Sequence, residues 1–173
     1  MIDELQVVEK HEVAAIATLI NQSFSSRIWE LDPAIFTGSR ISEIGLTEEL
    51  VAQPNGTLLQ WKVNNTRMGC VFLNPLDLEH RRWYMGYLCV DSAQMGTGLG
   101  TKMLLMAEHW AQQRGAKEMT LKVVNVRKPL IEWYLRRGYH HTGEDEPFPY
   151  DHFSTGTMLF KDLLLVSLRK VIH

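Results

Sequence analysis

Val90-Asp91-Ser92-Ala93-Gln94-Met95-Gly96-Thr97-Gly98-Leu99-Gly100-Thr101 joins an apolar run to an amphipathic one through three alternating glycines. On its N-terminal side, Trp83-Tyr84-Met85-Gly86-Tyr87-Leu88-Cys89-Val90 is almost unbroken apolar sequence, the pattern of a strand buried on both faces. On its C-terminal side, Leu99, Met103, Leu104, Ala107, Trp110 and Ala111 recur at helical spacing. Lys102, Glu108, Gln112 and Arg114 are left for the opposite, wet side. A helix that begins in glycines presents its first N–H groups without Cβ atoms in the way, so an anion can approach the positive end of the dipole. The stretch therefore reads as an anion cradle between a strand and a helix.

Moving outward, the N-terminal third predicts a short strand over Leu5 to Glu9 and a helix whose inner stripe is Val13, Ile16, Ala17, Ile20 and Phe24. From Ser25 to Arg40 the pattern breaks up, with Asp32-Pro33 and Gly38 as turn signals and Trp29 and Phe36 as isolated aromatics that read as local packing anchors, with substrate contact as the alternative. A second short helix from Ser42 to Ala52 carries Ile41, Ile44 and Leu50 and stops at Pro54-Asn55-Gly56. Thr57 to Val63 and Met68 to Leu73 read as strands flanking Asn64-Asn65-Thr66-Arg67, a break of hairpin length.

Beyond the glycine-led helix, Gly115 is a helix stop and Lys117 to Val124 alternates as a strand with one wetter face. Pro129 opens a further helix that ends at Gly138. Tyr139 to Thr142 predicts a strand, Gly143 to Gly156 a long surface loop, and Leu163 to Val171 a final strand. Antiparallel strands with one strand–helix–strand crossover predict an α+β fold: a single domain over residues 1–173, with a mixed, mostly antiparallel sheet and helices on both faces.

Composition narrows the function classes. At 173 residues the chain fits one domain, and a net charge of -2 gives no electrostatic case for nucleic acid. No apolar stretch reaches the ~20 residues that span a bilayer, and the N-terminus lacks the pattern of a secretory signal. The expectation is a soluble, cytoplasmic protein without a membrane partner. Cys70 and Cys89 sit in strand-like runs and read as reduced and packed. His140, His141 and His152 lack partners at ligand spacing, so no metal is expected.

Two nucleotide readings of the glycine loop fit poorly, the first failing on order and the second weak. A P-loop needs Gly-Lys-Ser/Thr, whereas Gly100 is followed by Thr101 and Lys102. A dinucleotide fingerprint places its third glycine where Thr101 stands. The run from Trp83 to Asp91, then Met95-Gly96-Thr97-Gly98-Leu99-Gly100, then Asn125, then Trp133-Tyr134-Leu135-Arg136-Arg137-Gly138-Tyr139, instead resembles the GCN5-related N-acetyltransferase (GNAT) family. The resemblance is sharpest from Trp83 to Tyr139; the family's loop pattern opens on Gln or Arg, and that position here is Met95.

The resemblance implies an acetyl-CoA-dependent N-acetyltransferase acting on an amine of a small molecule, amino acid or peptide, with no metal. It implies coenzyme A pyrophosphate on the backbone of Met95, Gly96, Thr97, Gly98, Leu99, Gly100 and Thr101. The pantetheine would run past Leu88, Cys89 and Val90, with Asn125 on the facing strand. Tyr134 matches the family's general acid toward the coenzyme sulfur, and a backbone N–H at Cys89 would serve the acyl oxyanion. A phenol with pKa about 10 protonates a thiolate of about 8.5 uphill by roughly 2 kcal/mol, so it assists without reacting at rest. Arg127, Lys128, Arg136 and Arg137 are candidates for the coenzyme phosphates, and Phe148-Pro149-Tyr150 for the acceptor border. Candidate bases are Glu79, His80, Asp91 and Glu144-Asp145-Glu146, and none is assigned. The alternatives are a non-catalytic coenzyme A-binding domain and an acyltransferase with another acyl group or nucleophile. The final apolar strand, read as a sheet edge, is a candidate homodimer contact.

Overall fold

The computed structural model describes residues 3–25, 35–94, 96–152 and 156–173. Its centre is an eight-stranded sheet. In chain order the elements are β1 (Leu5–Val7), α1 (Val13–Ser25), β2 (Phe36–Gly38), α2 (Glu43–Ala52), β3 (Thr57–Val63), β4 (Thr66–Pro75), β5 (Arg82–Val90), α3 (Leu99–Gln112), β6 (Glu118–Val124), α4 (Lys128–Leu135), β7 (His140–His141), β8 (Glu146–Pro147), β9 (Gly156–Met158) and β10 (Leu164–Val171). The sheet order is β1-β3-β4-β5-β6-β10-β7, with β8 also on β10, and β2 and β9 form a separate antiparallel pair. All pairings are antiparallel except β5–β6, the one crossover, which α3 bridges.

Two apolar layers flank the sheet, as the mixed α+β reading requires. On one face Met103, Leu104, Ala107 and Ala111 of α3 and Ile131 and Tyr134 of α4 cover Leu59, Val71, Met85, Met119 and Leu121. On the other, Val13, Ile16, Ala17 and Ile20 of α1 and Leu46 of α2 cover Leu58, Cys70, Phe72 and Cys89. Ser42 caps α2, its Oγ accepting from the Gly45 N–H at 3.0 Å. The β3–β4 turn is tighter than a four-residue break: Asn64 and Asn65, at φ 49° and 62°, close a two-residue hairpin, and Thr66 already pairs with Val63.

Several expectations are corrected. Ile44 is 71% exposed and Leu46 takes the buried position on α2. Glu108, assigned to the wet side of α3, is only 6% exposed because Lys170 Nζ (2.9 Å) and Tyr139 Oη (2.9 Å) satisfy its carboxylate. The segment read as one long loop, Gly143 to Gly156, contains β8 and a 3-10 turn at Tyr150–His152, and its end pairs with the irregular segment before α2 through β9 and β2. The last strand is no edge: β10 lies between β6 on one side and β7 and β8 on the other, so its backbone is already paired. Trp29 and Asp32-Pro33 lie outside the described residues. Among the described residues no helix is long and apolar enough to cross a membrane.

Candidate active site

The site begins with one extra residue in β5. Gly86 pairs with Phe72 and Cys89 with Cys70, so Tyr87 and Leu88 together oppose Val71, and Tyr87 sits at φ 49°. Such a bulge bends its strand and breaks the alternation of faces. Tyr84 and Tyr87, three apart, consequently pack toward the α1–α2 face together, while Leu88 turns to the α3–α4 face. β5 and β6 pair only at Arg82↔Glu118, Trp83↔Met119 and Tyr84↔Thr120. Past Tyr84 the two strands part, and a cavity of about 610 Å³ opens between Met85–Val90 and Leu121–Val124. Strand backbone facing a gap must find hydrogen-bond partners in water or in an extended ligand lying along it.

At one end of the cavity lie Gly96, Gly98, Gly100 and Thr101. Gly96 and Gly98 have φ of 79° and 85°, and a Cβ built on either meets nothing of the protein within 4 Å. These glycines therefore serve the left-handed backbone and the open space above it, not internal packing. Gly98 is the N-cap of α3, whose first-turn N–H groups have no partners within the helix. Arg137 closes this end. Its Nε and Nη2 donate to Thr101 Oγ1 at 3.0 and 2.7 Å, its Nη1 to the Trp133 carbonyl at 2.9 Å, and its guanidinium lies 3.8 Å from the Trp133 ring centre. An arginine so fixed beside unpartnered amides completes a site suited to phosphate oxygens.

Arg127 also lines the cavity, whereas Lys128 and Arg136 are exposed and do not. Leu88, Cys89, Val90 and Tyr134 are in the lining; Thr97 and Leu99 are not, and the Thr97 hydroxyl donates to the Gln94 carbonyl. Met95 lies outside the described residues. Asn125 follows the end of β6 and is tied to β10: its Oδ1 accepts from Leu164 N at 3.1 Å and its N–H donates to Leu164 O at 2.9 Å. The residues that face β5 across the gap are Leu121 to Val124.

Tyr134 of α4 lines the cavity. Only 7% exposed, its ring meets those of Trp133 (4.9 Å) and Tyr139 (5.5 Å) edge-on, which fixes its direction. Its hydroxyl has no hydrogen-bond partner among the described residues. Burial, followed by the adjacent Cys89 side chain, pushes its pKa well above the ordinary tyrosine value, so the phenol is protonated.

The other end of the cavity is built from α1, α2 and the loops, and its polar residues are ones that no sequence motif marks. Glu49 of α2 accepts a hydrogen bond from Tyr87 Oη at 2.5 Å, and Arg40 Nη2 approaches the same hydroxyl at 3.5 Å. Phe24, Phe72, Tyr84 and Phe148 provide apolar walls. Glu49 is the only carboxylate among the described lining residues. The bases considered from sequence lie elsewhere: Glu79 pairs with Arg81, Asp91 accepts from the Ala93 N–H, and Glu146 holds Lys122 at 2.6 Å. One signal for Glu49 was present. Leu46, Glu49 and Gln53 recur at helical spacing, so a carboxylate stands on the buried stripe of α2. Among the described residues no group of three or more His, Cys, Asp or Glu is placed to hold a metal ion.

Comparison with known proteins agrees with this architecture. The family model described as the acetyltransferase (GNAT) family matches residues 21–139. Among solved structures, the IAA acetyltransferase from Bacillus cereus superposes with a TM-score of 0.69 at 12% identity, over 99% of this chain and 100% of that one. The ribosomal-protein-alanine N-acetyltransferase from Brucella melitensis gives 0.69 at 14% identity, over 97% and 99%. A GNAT family acetyltransferase from Elizabethkingia anophelis with acetyl-CoA bound gives 0.60 at 19% identity, over 72% and 83%. A search of curated proteins found no match. With a family model covering well over half of its length, the chain belongs to the GNAT acetyltransferase family.

Proposed function

We propose that the protein transfers the acetyl group of acetyl-CoA to the amine of a small molecule, amino acid or peptide, with Tyr134 as general acid. The observation that carries this reading is Tyr134: a protonated phenol, held by its neighbouring rings, in the lining of the cavity that opens between β5 and β6. The co-substrate supplies the activated acyl thioester; the chain binds, orients and donates a proton. The backbone from Met95 to Thr101, with Arg137, takes the pyrophosphate. Leu88, Cys89 and Val90 offer strand backbone to the pantetheine amides, and Asn125, its Oδ1 already engaged, has Nδ2 left to donate. The Cys89 N–H next to the bulge meets the charge that develops on the acyl oxygen. The neutral amine attacks the thioester carbon, the tetrahedral adduct breaks its carbon–sulfur bond as Tyr134 gives its proton to the sulfur, and the proton shed by the acylated nitrogen passes through solvent to restore the phenol. The buried, unoxidised Cys70 and Cys89 fit a reducing compartment, and we place the reaction in the cytoplasm.

The test follows free thiol release from acetyl-CoA over a panel of amines, in wild type and Tyr134→Phe. We expect kcat to fall roughly a hundredfold or more in the variant, with coenzyme affinity retained. Because the Tyr134 pKa is raised, the hydroxyl stays protonated beyond the alkaline limit of the assay. The phenylalanine variant therefore lowers the plateau of the pH profile without moving its alkaline limb. An unchanged kcat removes Tyr134 from the mechanism. Tight coenzyme binding without release on any amine favours a binding module, and no coenzyme binding refutes the reading.

A further inference from the structure

We infer, resting on the amine-transfer reading above, that the acceptor carries a carboxylate beside its amine: an amino-acid-like zwitterion held by Arg40 and Glu49 on either side of the Tyr87 hydroxyl. Three observations support this. First, Arg40 is fixed along its whole length. Asn21 of α1 pins its backbone, with Oδ1 accepting from the N–H groups of Arg40 (2.7 Å) and Ile41 (3.0 Å) and Nδ2 donating to the Ile41 carbonyl (2.8 Å). Its guanidinium rests against the rings of Phe24 (5.6 Å) and Tyr87 (5.3 Å). A planar guanidinium held this way has its donors set for a carboxylate at small entropic cost.

Second, the charges are placed side by side. Glu49 Oε2 and Arg40 Nη2 both approach Tyr87 Oη, at 2.5 and 3.5 Å, so an anionic and a cationic group flank a single oxygen. A ligand with its ammonium and carboxylate on one carbon presents the complementary pair of charges, likewise close together. A peptide N-terminus or a simple alkylamine presents only the ammonium.

Third, the pair shares one space with the chemistry. Arg40, Glu49 and Tyr87 line the same cavity as Leu88, Cys89 and Tyr134, so an acceptor held by the pair lies in the space that the acyl end opens into. The bulge achieves this, since regular alternation would have turned Tyr87 to the opposite face.

The test compares the common L-amino acids with their α-amides and decarboxylated amines. Turnover is read by thiol release, and affinity by calorimetry in the presence of coenzyme A. We expect at least one free amino acid to exceed its amide and its decarboxylated amine by roughly ten- to hundredfold in kcat/KM and in affinity. Arg40→Gln collapses that ratio toward one by weakening the acid, and Arg40→Lys restores part of it. Coenzyme A affinity reports that both variants are folded. Amides or simple amines that bind and react as well as the acids overturn the inference. Thiol release with no amine defeats the transfer reading instead, and the binding series still decides whether the carboxylate is recognised.

Discussion

The two ends of the cavity are built on opposite principles. The glycine end is contiguous: Gly96 to Thr101 lie within six residues, the groups they offer are backbone amides, and the supporting side chains, Trp133 and Arg137, come from α4 and the turn just after it. The α1–α2 end is assembled from Phe24, Arg40, Glu49, Tyr87 and Phe148, spread over most of the chain, and everything it offers is side chain. A backbone cradle recognises a constant group and tolerates substitution nearly everywhere except at its glycines. A side-chain cage is rewritten by single substitutions without disturbing the sheet beneath it. One fold can thus keep a common donor and change acceptors.

The strongest way to break this division is at Gly98. Its φ of 85° makes any side chain costly, and a Cβ there projects into space that the protein leaves empty. Gly98→Val should raise KM for acetyl-CoA roughly tenfold or more, through about 1–2 kcal/mol of backbone strain and obstruction of the cradle. KM for the acceptor should stay within about twofold, since the change touches neither Arg40 nor Glu49. Steady-state kinetics with each substrate varied in turn checks it; equal increases in both constants would show that the ends are not separable.

The converse substitution is Glu49→Gln, which keeps the shape and an acceptor for the Tyr87 hydroxyl but removes the charge. Acceptor kcat/KM should fall by about tenfold, the scale of one charge-assisted hydrogen bond, with coenzyme affinity unchanged. A decrease of kcat alone, with acceptor KM constant, would make Glu49 a proton acceptor in the reaction and not a binding group.

The same division explains what the sequence revealed. The glycine stretch, the apolar strand before it and the aromatic helix after it are local patterns with periods of two and 3.6, and the sheet, its crossover and α3 follow from them. The α1–α2 end has no such pattern. Arg40 matters only because Asn21 holds it, and Glu49 only because α2 lays its buried stripe over Tyr87. The decisive irregularity is the extra residue at Tyr87–Leu88. Nothing in Trp83 to Val90 shows where alternation fails, because with both faces apolar the pattern reads the same in either register. The short pairing of β2 with β9 was hidden for a related reason: three-residue strands carry too little periodicity to be read, and their partner is more than a hundred residues away.

A smaller effect separates packing at the glycine end from ligand binding. Thr101 Oγ1 accepts both the Nε and the Nη2 of Arg137, so Thr101→Val leaves those two donors without their side-chain acceptor while preserving the volume of the first turn of α3. Coenzyme KM should rise by about three- to fivefold, since Arg137 keeps its stacking on Trp133 and its bond to the Trp133 carbonyl. A loss as large as that of Gly98→Val would mean that the guanidinium, not the backbone cradle, supplies most of the binding.

The finest probe is Gly86→Ala, one residue before the bulge. A Cβ at this position lies 3.1 Å from Tyr84 Cε1 and 3.5 Å from Tyr84 Oη, closer than a relaxed contact, so the tyrosine ring must shift by a few tenths of an ångström. The ring is half-buried and borders the cavity, and it can yield toward the acceptor space without disturbing the paired strands. Gly86 also pairs with Phe72 across β4 in regular strand geometry, so the backbone itself accepts alanine. The acceptor site should therefore narrow slightly: KM should rise about two- to threefold for bulky acceptors and stay nearly constant for small ones, with kcat and coenzyme KM unaffected. The measurement is the ratio of kcat/KM between a large and a small acceptor in wild type and variant. A uniform fall over both sizes would place the strain in the bulge, and a change in coenzyme KM would show that even this side-chain end is coupled to the cradle.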